Sequence, residues 1–176
     1  MKYDLNQINE ALSAGLIYDN FTVTADLISS VAKLHFKDIA ELKSKRNRKS
    51  IWALACRTAA LNLLKYKSDQ MMDRDFKESF VYIMTDSKNP NLYKIGRSID
   101  PYSRLATANT FSPSRSFKLV SFRFSEDSVE LEKYLHSIYS RDHEEGEWFY
   151  FSDIQSVIDK LTSKSAKYAD VNSLRE

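Results

Sequence analysis

Glycine and proline are scarce in this chain, three of each in 176 residues, and cysteine occurs once. A lone thiol, Cys56, excludes an internal disulfide and cannot by itself build a zinc site. Its setting in "WALACRTAALNLL" predicts an inert thiol on a buried helix face. No apolar run approaches the ~20 residues that a membrane span requires, so no membrane partner is expected. The first residues, "MKYDLNQINEALSAGL", carry acids and amides where a signal peptide needs a basic start and an apolar stretch, which makes a cytoplasmic location the expectation. Internal repeats and low-complexity blocks are also missing. The net charge of +2 is too small to name a polyanionic partner by itself.

What the chain does have is 43% hydrophobic and 28% charged residues, enough for a folded core. Its charge is unevenly placed: "KSKRNRK" (43–49) has five bases in seven residues and "RDHEEGE" (141–147) four acids in seven. Residues 3–15 read as a short amphipathic helix ending at Gly15. A longer helix follows, with Thr24 as its N-cap and apolar residues from Leu27 to Leu42 at helical spacing, and then a third in "SIWALACRTAALNLLKYK". From residue 79 the pattern changes. Residues 79–84 and 91–96 read as a hairpin around "SKNPN", followed by a helix capped by Asp100 with Pro101 at its first position. A third strand in "FKLVSFRF", a helix capped by Ser125, a short strand in "EWFYF" and a last helix complete the order. The expected class is α+β: an all-helical domain at 1–75, a domain at 76–164 with a central three- to four-stranded, mainly antiparallel sheet flanked by helices, and a polar tail at 165–176.

Chemistry concentrates in the second domain. Gly96 ends the second strand, where it would let a ligand or another backbone come close. Lys94, Arg97 and Arg104 supply cations, and Tyr82 a phenol on the neighbouring strand. Three bases, a phenol and a glycine at a strand end form a surface suited to phosphate. Glu132 and His136, four apart on one helix, share a face. A partly exposed carboxylate of this kind could hold Mg²⁺, which takes one or two protein carboxylates and completes its shell with water and substrate phosphate.

Five short motifs, "VYI" at 81–83, "YKIGRS" at 93–98, Arg104, "LEKYLH" at 131–136 and "GEWF" at 146–149, resemble in order and interval the GIY-YIG endonuclease superfamily. More narrowly they resemble its phage and bacterial branch, with KIG in the second signature and an LExxLH helix. The resemblance covers about residues 79–162. It implies a metal-dependent DNA endonuclease, and a cytoplasm that is a bacterial host's if the chain is phage-encoded. Tyr82 would lie near the attacking water as general base or orienter, Arg104 would contact the scissile phosphate, and Glu132 would bind one Mg²⁺ or Mn²⁺. His136 would orient water or phosphate. Two positions depart from the pattern: Val81 stands for the first glycine, and Lys94 for the second signature's tyrosine, where it could hold a phosphate or lower a neighbouring phenol's pKa. One metal and one base would cut one strand per site; a homodimer would pair two cuts.

Each of these residues also has a plainer role. Tyr82 and Tyr93 could be strand aromatics, Arg97 and Arg104 surface bases, Glu132 and His136 a solvated helix pair, and His143 a loop residue. Trp148 and Phe149 read as core, with Glu147 at the rim of the site. The basic residues Lys43, Lys45, Arg46, Arg48 and Lys49 either solubilise a linker or, with Arg97, bind DNA phosphates, and the helices around them could form a helix-turn-helix. The alternative function is a catalytically inactive DNA-binding or regulatory protein on the same fold; a third is a protein-interaction module using the aromatic C-terminal surface.

Overall fold

The computed structural model describes residues 4–42, 48–70 and 77–163. They fall into two compact units that meet in sequence between Glu78 and Ser79.

The first unit is helical: α1 (Leu5–Ser13), α2 (Ala25–Leu42) and α3 (Arg48–Gln70). Asp4 caps α1 by accepting the Asn6 N–H at 3.0 Å. Gly15, at φ +66°, turns the chain back so that Leu16 N–H reaches the Ala11 carbonyl at 2.9 Å. Thr24 caps α2, as expected, accepting from Leu27 N–H at 3.2 Å. Ala55, Ala59 and Ala60 are fully buried on α3, so small side chains let α2 come close with Ile28, Val31 and Ala32. Cys56 is buried among them, and burial pushes its thiol up to about 11, which keeps it inert at neutral pH. The turn that a helix-turn-helix would need, and the basic residues Lys43, Lys45 and Arg46, lie outside the described residues.

This unit closes on a buried ion pair. Lys67 Nζ lies 2.6 Å from Glu78 Oε1, which also accepts the Val23 N–H at 3.1 Å. The helical unit therefore reaches past residue 75, because Glu78 is the carboxylate that neutralises Lys67. Glu78→Ala is expected to cost on the order of 3 kcal/mol, since it removes the carboxylate 2.6 Å from a buried ammonium and the acceptor of a backbone N–H. Urea unfolding measures it, and Lys67→Met in the same chain should recover much of the loss.

The second unit has the element order β1 (Ser79–Asp86), β2 (Leu92–Ser98), α4 (Pro101–Phe111), β3 (Phe117–Ser125), α5 (Ser128–Ile138), β4 (His143–Glu145), β5 (Trp148–Tyr150) and α6 (Ile154–Thr162). The sheet runs β3-β1-β2-β5-β4, with every neighbour antiparallel. Interior strand β1, between β3 and β2, is covered on both faces, which is why "SFVYIM" is buried without alternation. Its Val81 and Ile83 join Ile95, Phe149 and the apolar side of α5 and α6, Leu131, Leu135, Val157 and Leu161. On the other face Phe80 meets Phe122 and Phe124 edge-on, and Tyr102 of α4 packs on Phe122.

Three details differ from the sequence reading. The mainly antiparallel sheet flanked by helices is as expected, but it has five strands where three to four were expected, because the acidic "HEE" adds a three-residue edge strand. All three of its side chains are exposed, so it lacks the apolar alternation that marks a strand, and its charges blunt the open edge. His143 belongs to this strand, its Nε2 at 2.9 Å from the Gly146 carbonyl. Helix α5 starts later than expected, capped by Asp127, which accepts from Glu130 N–H at 3.1 Å; Ser125 instead accepts from Asp127 N–H. Arg123, which the sequence reading did not single out, is 1% exposed and donates to the Leu161 and Ser163 carbonyls at 3.1 and 2.7 Å, closing the end of α6.

Candidate active site

Antiparallel pairing sets Tyr82 directly opposite Gly96 and Met84 opposite Lys94, so all four point to the face of the sheet that α4 covers. A Cβ at Gly96 would stand 2.9 Å from the Tyr82 hydroxyl oxygen and 3.0 Å from its Cζ. The glycine is thus a slot for the phenol of the neighbouring strand, and the chain's own side chains take the space that the sequence reading left for an incoming backbone. The Glu147 Oε2 is 3.4 Å from the same point and 2.6 Å from Lys94 Nζ.

Tyr82 is 1% exposed, and burial holds its pKa above the ordinary phenol value. Lys94 and Arg104 pull it back down, Arg104 also through a hydrogen bond to the phenol oxygen, while Glu147 adds to the rise. At neutral pH Tyr82 is therefore a phenol whose oxygen accepts from a guanidinium and whose O–H can still donate. Asp100 positions Arg104: its carboxylate accepts from Tyr102 and Ser103 N–H at 3.1 Å, starting α4 beside the sheet.

Gly96→Ala tests the slot. The added methyl must displace a ring packed inside the unit, so a loss of about 1–3 kcal/mol is expected. In Gly96→Ala/Tyr82→Phe, which lacks the closest contacting atom, the loss should be smaller; thermal unfolding of the single and double variants reads the coupling.

The second half of the site lies at the open edge of β2, which β5 pairs only from Leu92 to Lys94. Beyond that, other groups take over its backbone. Ile95 N–H donates to the Glu147 carbonyl at 3.0 Å, and Ile95 carbonyl faces His136 Nε2 at 3.0 Å. Arg97 N–H donates to the Glu132 carboxylate, whose Oε2 is 3.4 Å from Arg97 Nε. Four helical residues rise about 6 Å and two strand residues about 6.6 Å, so Glu132 and His136 meet alternate rungs of the strand. The spacing that put them on one helix face thus also fits them to a strand edge. A carbonyl can only accept, so His136 carries its proton on Nε2; its ring also packs edge-on against Phe149 at 4.9 Å.

Glu132 is half-buried, and burial followed by the nearby Glu147 holds its pKa above the ordinary carboxylate range, with His136 and Arg97 pulling the other way. Glu147 therefore acts on both halves, on Tyr82 and Lys94 at one face and on Glu132 at the edge. Sequence reasoning placed it only at the rim. The signal was its position immediately before Trp148, the residue that pairs with Lys94.

Arg97 differs from the sequence grouping. It lies opposite Val81, on the α5 face, whereas Lys94 is on the α4 face, so the three cations do not share one surface. Tyr93 is on the same face as Arg97 and packs on Phe151, a core role. Of the basic run, Lys49 is exposed near the start of α3, and the side chain of Arg48 lies outside the described residues.

Among the described residues no group of three or more His, Cys, Asp and Glu lies together in a form that could hold a metal ion. A hard cation here would rest on Glu132, with water and phosphate completing its shell. Glu132 fits that use: its negative charge is disfavoured by burial and by Glu147, and a bound cation would relieve both.

A family model described as the T5orf172 domain matches residues 79–164, from the first residue of β1 to just past α6. No curated protein and no solved structure matches the chain. Among the described residues no helix is long and apolar enough to cross a membrane.

Proposed function

We propose that the α+β unit is a metal-dependent DNA endonuclease of the GIY-YIG type that hydrolyses phosphodiester bonds. The matched T5orf172 domain is phage-associated and of nuclease-like or DNA-binding type, which supports the reading. The observation that carries it is the electrostatic joining, through Glu147, of a buried phenol and two cations with a half-buried carboxylate.

In this reading Arg104 and Lys94 hold the scissile phosphate, Lys94 giving up Glu147 as the phosphate arrives. Tyr82 donates its O–H to the attacking water or to a phosphate oxygen and so fixes the line of attack. Acting as base would require the phenol first to lose its own proton, which burial resists. Water oxygen bonds to phosphorus as the bond to the leaving oxygen breaks, the proton that the water sheds passing through solvent and the departing oxygen taking one up from solvent, so that one strand is cut per site. Mg²⁺ or Mn²⁺ held by Glu132 would supply positive charge to the phosphate. His136, tied to the Ile95 carbonyl, holds α5 against β2 and so positions Glu132.

One observation favours a second reading, a DNA-binding module without catalysis: Glu132 already has a structural partner in Arg97 N–H, a reason for a carboxylate there that needs no metal. The full chain, mixed with supercoiled plasmid in Mg²⁺, Mn²⁺ or chelator, separates the two. Nicked circles in metal and none in chelator support the nuclease; salt-sensitive binding with no nicking in any condition supports the binding module.

A further inference from the structure

We propose that the flank of α4 carrying Arg104 binds an unpaired nucleic-acid strand, with Phe111 stacking on one of its bases. This rests on the nucleic-acid reading above and adds the form of the substrate.

Phe111 is 83% exposed, the most exposed large apolar side chain recorded among the described residues. The helix turns Pro101, Leu105, Ala108 and Asn109 inward. Arg104 and Phe111, seven residues apart, lie on one flank beside that stripe, about 10 Å apart along the axis. At the near end Arg104 meets Tyr82. At the far end Phe111 is held on a fixed element, because the Asn109 side chain donates to the Phe117 carbonyl at 3.1 Å and accepts the Phe117 N–H at 3.0 Å. An exposed ring is thus presented rigidly within a short span of the phosphate-facing cation.

Charge identifies the partner. From Pro101 to Ser125 the sequence has no aspartate or glutamate, although the chain has 24 of them. Arg115 and Lys118 are exposed just beyond Phe111, and Ser112, Ser114 and Ser116 form a hydroxyl chain at 3.1 and 2.7 Å between them. Asp86, opposite Phe117, borders this patch: its carboxylate accepts from the Ser116 hydroxyl and also from Lys88 N–H and the Asn89 amide, so its oxygens are already engaged. Cations and hydroxyls, with the bordering Asp86 carboxylate held by its own hydrogen bonds, suit a polyanion. An apolar ring among them adds the requirement for a flat apolar partner. A duplex hides its base faces inside the stack, whereas an unpaired strand offers them.

The test is fluorescence anisotropy of labelled oligo-dT and of a blunt-ended duplex in chelator, with the full chain, Phe111→Ala and Phe111→Trp. Stacking on one base predicts that Phe111→Ala weakens oligo-dT binding about tenfold and duplex binding by less than about twofold. Phe111→Trp should retain the affinity and show fluorescence quenching on oligo-dT beyond that of the parent chain. Equal loss on both ligands, wild-type affinity in Phe111→Ala, or no oligo-dT binding by the parent chain each overturn the proposal. Because the assay contains no metal, Phe111-dependent binding by a protein that never nicks would remove only the nuclease reading. Nicking with duplex-only binding would remove only this one.

Discussion

Tyr82→Phe is expected to lower the rate of metal-dependent nicking by about 10²–10⁴-fold, the range for losing a group that handles a proton or the attacking water. The substitution removes one oxygen and keeps the ring, which remains on the α4 face between Phe80 and Met84 and over Gly96. It also removes the acceptor of the Arg104 hydrogen bond, but Arg104 is exposed and recovers water in its place, so unfolding should shift by no more than about 1 kcal/mol. Duplex affinity in chelator should be unchanged. A fall in rate with unchanged affinity and stability assigns the hydroxyl to the chemical step. A rate within about threefold of wild type would return Tyr82 to an ordinary strand aromatic, since effects of real proton-handling groups begin well above that.

Glu132→Gln is expected to be at least as severe. Losing a cation's charge on the phosphate removes several kcal/mol of transition-state stabilisation, about a thousandfold or more in rate. Glutamine is the right replacement because its amide oxygen can still accept the Arg97 N–H, whereas alanine would leave that rung of the strand edge open. The pH dependence has a definite sign. Glu132 has a folded-state pKa above its ordinary value, so its ionised form costs stability as pH rises from that value through the raised one. Glutamine, never ionised, escapes this cost, and Glu132→Gln should match or exceed the wild-type stability at neutral pH. For the same reason protons compete with the cation at higher pH than at an ordinary carboxylate. Mn²⁺ affinity of the wild-type chain, followed by the paramagnetic signal of the free ion, should fall on acidification before the usual carboxylate range is reached. It should be weak and nearly independent of pH in Glu132→Gln.

Much of this architecture was legible in the sequence because local signals and burial agree. Asp100 with Pro101 caps α4 and fixes where Arg104 begins its turn. Helical spacing in "LEKYLH" puts Leu131 and Leu135 inward and turns Glu132 and His136 toward the strand edge. What escaped the sequence depends on partners distant in the chain. The role of Gly96 is set by a phenol on the neighbouring strand, and that of Arg123 by the carbonyls at the end of α6 about forty residues later. Glu147 looks like one acid among several in "RDHEEGE" until the pairing of Trp148 with Lys94 brings it to the site. The separation of Arg97 from Lys94 was in principle readable, since residues three apart on a strand face opposite ways. Strand β4 is too short and too charged to announce itself.

The central claim, that one site joins Tyr82, Arg104 and Glu132 around a phosphate, is tested most directly by nicking of supercoiled plasmid in Mn²⁺ by the wild-type chain and Glu132→Gln, with duplex affinity measured on the same samples. The account predicts metal-dependent nicking by the wild type and at least a thousandfold less by the variant, about what several kcal/mol amounts to, at equal duplex affinity. Equal nicking by both proteins, or none by the wild type while it binds DNA, would contradict it.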